Sequence, residues 1–96
     1  MFDPAEDAAQ PPAAFNRSEP GLWSLSGHWT LAGLGDVPRQ LDAQACDSSK
    51  VVLDGAGLAA VDSVGAWVLQ RWLRRHQASA ELRGWPPRSH KLMALV

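Results

Sequence analysis

The spacing of hydrophobic and polar positions changes several times along the chain, and each change marks an element. Residues 1–12 hold three acids and three prolines with no apolar period. They read as a mobile tail outside the fold, which should occupy residues 13–96. Ala13 to Arg17 and Leu22 to Trp29 read as two short strands. Ser18-Glu19-Pro20-Gly21 lies between them, and its Pro-Gly pair suits a tight turn, so a hairpin is predicted. Leu34, Val37, Leu41 and Ala45 then fall at helical spacing, with Asp36 placed as N-cap and Pro38 tolerable in the first turn. This helix should end near Cys46. Lys50-Val51-Val52-Leu53-Asp54 follows the turn Asp47-Ser48-Ser49 and has the look of a central strand buried on both faces.

After the Gly-rich stretch 55–60, Asp62 or Ser63 can cap a strongly periodic helix over Val64 to His76. Ala80, Leu82 and Gly84 alternate with Glu81 and Arg83 as in a strand. Trp85-Pro86-Pro87 then opens a last helix carrying Leu92, Met93, Leu95 and Val96. The order is β-β-α-β-α-β-α, which predicts an α/β fold with a four-stranded mixed sheet and three helices.

At about 100° per residue, Gly65, Val68, Leu69, Trp72 and His76 share one side of the second helix, with Leu73 at its margin, and should face the sheet. Ser63, Trp67, Gln70, Arg71 and Arg74 share the opposite side. A tryptophan there is out of place on a solvated face. Either a loop or the terminal tail covers Trp67, or it belongs to an interface, where Trp and Arg most often dominate binding energy. Arg71, Arg74 and Arg75 also suit the negative end of the helix dipole.

Composition narrows the function classes. Ninety-six residues make one domain, and 46% hydrophobic with 20% charged residues is ordinary for a globular chain. A net charge of −1 gives no reason to expect nucleic acid or an anionic membrane as partner. The lone cysteine, Cys46, cannot make an internal disulfide. The start Met1-Phe2-Asp3-Pro4 lacks the marks of a secretory signal, and no segment offers the ~20 apolar residues of a membrane span. A cytoplasmic location is therefore expected. The end at Val96, inside an apolar helical pattern, hints at a trimmed boundary.

Several motifs are set aside. Gly55-Ala56-Gly57-Leu58-Ala59-Ala60 matches the loose dinucleotide pattern, but Val61-Asp62-Ser63 punctuates the chain before any helix begins. No phosphate-binding loop of the G-x-x-x-x-G-K-S/T type exists. His28, His76 and Cys46 lack the close spacing of a metal-ligand pair, and His90 reads as a solvated helix residue. Asp54 and Asp62 could approach each other at the strand ends, though acids there more often shape loops and caps. No catalytic residues, metal or cofactor are expected.

Val51-Val52-Leu53-Asp54, followed by Val61-Asp62-Ser63-Val64-Gly65 and a leucine-rich helix, resembles the STAS domains of sulfate transporters and anti-sigma-factor antagonists. Trp29-Thr30-Leu31 and Glu81-Leu82-Arg83-Gly84-Trp85-Pro86-Pro87 look most like the STAS modules of Mla-type lipid-transport ABC systems. The resemblance implies a non-catalytic regulatory module that docks on the ATPase subunit of such a transporter, near its permease. The module would be either a free subunit or an N-terminal extension of the permease, held at the inner face of the membrane through the complex. It also implies Asp62, Val64 and Gly65 as a switch-loop motif and Ser63 as its regulatory hydroxyl. Trp67, Gln70, Arg71 and Arg74 would contact the partner. Ser63 either caps the helix or is phosphorylated. In the second case the chain would be an anti-sigma-factor antagonist with a serine kinase of the anti-sigma type as partner. The motif departs from that branch at Val64, where a second hydroxyl residue is usual, which favours docking over a phosphorylation cycle.

Overall fold

The computed structural model describes residues 11–44 and 49–95. The expected tail over residues 1–10, the helix end at Ala45 and Cys46, the Asp47-Ser48 part of the turn, and Val96 lie outside the described residues. Strands β1 (Ala14–Glu19) and β2 (Leu22–Trp29) form the antiparallel hairpin. Gly21, at φ +78, supplies the left-handed residue that a turn with Pro20 ahead of it requires. The chain is tied down two residues earlier than the pattern suggested. Pro11 accepts hydrogen bonds from the main chain and the ring of His28, at 3.1 and 2.9 Å, and Pro12 bridges His28 in parallel.

Helix α1 (Val37–Asp42) buries Val37 and Leu41 and is shorter than the spacing implied. Asp36 stands at its N-cap position without capping it, because its carboxylate pairs with Arg39 at 3.1 Å instead. Strand β3 (Lys50–Val61) runs twelve residues. The Gly-rich stretch is thus not a link but the second half of a strand, paired in parallel with β2 through Ser26↔Gly57, Gly27↔Leu58, His28↔Ala60 and Trp29↔Val61. Its glycines mark close approach rather than a break. A Cβ on Gly55 would stand 2.6 Å from Trp85 Cδ1, and the Trp85 indole N–H donates to the Leu53 carbonyl at 2.9 Å. Helix α2 (Ser63–Arg75), strand β4 (Ser79–Arg83) and helix α3 (Pro87–Leu95) complete the predicted order. The sheet order is β1-β2-β3-β4, with β4 parallel to β3.

Among the described residues, the central strand is covered on one face only. Along β2 and β3, Trp23, Leu25, Trp29, Val51 and Leu53 are buried in one core with Val37 and Leu41 of α1, Val68, Leu69 and Trp72 of α2 and Met93 of α3. Their neighbours in register, Leu22 with Val52 and Ser24 with Asp54, point the other way and stay partly or half exposed. A continuous apolar run cannot distinguish these cases, because it does not show which of its two faces another element covers. Trp23 and Trp72 meet edge to face at 5.1 Å at the centre of the core.

Candidate functional site

The start of α2 is held by one carboxylate. Asp62, in extended conformation at the N-cap, accepts from Gly65 N–H at 3.0 Å through Oδ1 and from Leu31 N–H at 3.0 Å through Oδ2. It therefore joins the helix to the turn that follows β2. Burial alone would raise the Asp62 pKa. The N–H groups of Leu31, Gly65, Val64 and Asp62 itself outweigh that effect and hold it below the usual 3.8. The cap is therefore Asp62, and the Ser63 hydroxyl, exposed on the first helical residue, is not engaged in it. Gly65 is required by contact, since a Cβ there would run into the Trp29 carbonyl. Val64 is half-buried against the core.

From Ser63 the i, i+4 row continues through Trp67, Arg71 and Arg75 along the side of α2 that meets α1. Trp67 is 48% exposed. The Arg71 guanidinium lies over its ring, 5.2 Å from the centroid, and is held there by Asp42 at 2.8 Å, which also meets Arg75 at 3.3 Å. Arg71 Nε is buried with no hydrogen-bond partner among the described residues. Gln70 is committed elsewhere: its Nε2 donates to the Met93 carbonyl at 2.7 Å and locks α2 to α3. Arg74 is exposed. The inward face holds Gly65, Ala66, Val68, Leu69, Trp72 and Leu73 as the periodicity predicts, while His76 is half-buried edge-on to Trp72.

The structure thus brings Ser63, Trp67, Arg71 and Arg74 onto one exposed face and turns Gln70 into a joint between helices. Two further residues belong with the site. Leu31, 74% exposed, follows β2 beside Asp62, and Asp42 anchors the arginine over the tryptophan. An apolar residue in a Gly-rich turn was the available signal for Leu31. Asp42 lies 29 residues from Arg71, and no spacing rule links them. Asp54 and Asp62 do not converge. Asp54 accepts from Ala56 N–H within β3, and Asp62 lies past the strand's end, roughly 25 Å along an extended chain.

These features define a class: a small α/β domain with helices on one face of a mixed sheet, whose exposed apolar and basic groups gather at one capped helix. The family model described as "Mlab, STAS domain" matches residues 15–96, and the chain belongs to the STAS domain family. Members of this family are generally non-catalytic binding or regulatory modules acting through protein–protein contacts. No curated protein matches the chain significantly. Among the described residues, no helix is long and apolar enough to cross a membrane.

Proposed function

We propose that this domain docks on the ATPase subunit of an Mla-type lipid-transport ABC complex, close to the permease, through the exposed face of α2. The observation that carries this reading is Trp67: a large aromatic side chain held half in solvent by an arginine that is itself pinned by Asp42. Pre-ordering both side chains lowers the entropy cost of contact, and this pairing of residue types is typical of binding hot spots. Leu31 and Ser63 extend the surface toward the Asp62 cap, Arg74 extends it along the helix, and Gln70 supports it from behind. Location at the inner face of the membrane follows from that partner. Calorimetric titration of the domain with the ATPase subunit tests the reading. Absence of binding, or equal binding by Trp67→Ala, overturns it.

One observation favours a second reading. With Asp62 making the cap, the Ser63 hydroxyl is exposed and available to a kinase. A phosphate there would face the amides of the helix start yet crowd Asp62, altering the same surface. Under this reading the chain is an anti-sigma-factor antagonist, and its partner is a serine kinase of the anti-sigma type. Incubation with such a kinase and ATP, read by intact mass, separates the two.

A further inference from the structure

Among the described residues β4 is an edge strand that pairs only with β3, and the core is open beside it. Ala80 and Leu82 point inward from β4 but are only half-buried, whereas their counterparts Val51 and Leu53 on β3 are almost fully enclosed. A cavity of about 410 Å³ opens there, lined by Leu73, Ala78, Ala80, Leu82, His90 and Met93. On the other side of the same strand is a second hollow of about 330 Å³, bordered by Lys50, Val52, Ser79 and Glu81. The opposite edge of the sheet is interrupted, because β1 shifts register between Arg17 and Glu19. β4 keeps an unbroken register with β3 and carries no proline. It is the edge prepared for another strand.

We propose that β4 pairs antiparallel with β4 of a second copy, around a twofold axis at Leu82. The register follows from the main chain and the charges. In a parallel ladder the N–H and C=O of one residue point to the same side and alternate along the strand. Ser79 N–H donates to the Ser49 carbonyl across the β3 side, so Ala80 and Leu82 direct their main-chain groups outward. None of the turn, loop or cap hydrogen bonds of the described residues uses those outward groups. Only registers that set outward residues against outward residues can form the ladder. Ala80 opposite Leu82 of the second copy would place Glu81 against its own like charge. Ala80 opposite Ala80 would leave Glu81 facing Ser79. Ala80 opposite Gly84 sets Leu82 against Leu82 beside the inner cavity of each copy and Glu81 against Arg83 twice, in the non-hydrogen-bonded pairs where side chains come closest. Glu81 and Arg83 already approach within 3.2 Å on one strand and are both well exposed, so exchanging partners needs only rotamer changes. Gly84, at φ +70, then turns the chain away and ends the pairing. The contact is isologous and closed, a dimer rather than a fibre.

Sedimentation equilibrium of the full chain over a wide concentration range, with reductant present so that Cys46 cannot link copies, tests this directly. A reversible monomer–dimer equilibrium is expected. Glu81→Arg and Arg83→Glu should each weaken association on the order of tenfold, by setting like charges opposite each other, without moving the thermal midpoint measured at a concentration where the parent chain is monomeric. The double exchange Glu81→Arg with Arg83→Glu should restore it. A chain monomeric at every concentration overturns the proposal. So does a dimer indifferent to both single variants, or one that the double exchange fails to rescue.

Discussion

Asp62 serves two segments at once, and its contribution depends on its charge. Because its folded pKa lies below the ordinary value, the stability it adds is fully present above about pH 4 and is lost as the pH falls through the lowered folded value. Asp62→Ala should cost about 1 kcal/mol at neutral pH, as loss of a cap usually does, and the gap from the parent should narrow in urea titrations repeated toward pH 2. A gap that stays constant would mean that the carboxylate does not act as an ion. Gly65 makes the complementary case, since its added methyl would meet backbone rather than a flexible side chain. Gly65→Ala should destabilise by about 2–3 kcal/mol, as overpacking against an unyielding neighbour does. For Trp67→Ala the expectation reverses: binding to the ATPase subunit weakens by about 2 kcal/mol or more, while the melting temperature moves little. Calorimetry and melts on one preparation check both halves. At this scale the sequence exposed Asp62 or Ser63 as the cap and Trp67 as out of place on a solvated face, whereas Gly65 was legible as part of the motif but not as a point of contact. The sequence concealed Asp42 and Gln70, whose roles come from partners 29 and 23 residues away.

The elements were legible where a period persisted and a terminus was signalled. α2 has both: an Asp at its start, Arg74 and Arg75 in its last turn, and an apolar face repeated over thirteen residues. Its end carries a cost that sequence alone did not disclose. Gln77 sits at φ +51, while its N–H bonds to the Arg74 carbonyl and Ala78 N–H to that of Leu73, the two-bond closure normally made with glycine. Gln77→Gly should therefore stabilise the domain by about 0.5 kcal/mol, the relief of left-handed strain less the added freedom of the unfolded chain. Urea midpoints with unchanged m-values would show it; a loss of stability would mean that the Gln77 side chain matters more than its backbone. β3 was misjudged for the opposite reason. Glycines at 55 and 57 read as punctuation, but their missing side chains admit Trp85 on one side and the β2 backbone on the other. Whether a glycine breaks a strand or lets something approach it is decided by what lies nearby in space.

At the scale of the whole molecule, the one-sided sheet gathers the apolar burial into a single cluster. All three helices contribute to a single core against Trp23, Trp29, Val51 and Leu53, and the other face keeps polar residues such as Asn16, Ser24 and Glu81 where no layer of the described residues covers it. The order of elements was legible because strand and helix periods alternate; the single covered face was not, because Val51-Val52-Leu53 is apolar throughout and only the pairing register shows which of them points inward. Substitutions along one strand should separate accordingly. Leu53→Ala removes a side chain fully enclosed beneath the Trp85 indole bond and should cost about 2–5 kcal/mol, the range for buried leucines. Val52→Thr, one residue away on the uncovered face, keeps the β-branched shape and lets its hydroxyl reach water, so it should stay within about 0.5 kcal/mol of the parent. Chemical denaturation of the two variants decides between one covered face and two. If Val52→Thr costs as much as Leu53→Ala, the outer face of the sheet is buried in solution, and the monomer described here is not the species that unfolds.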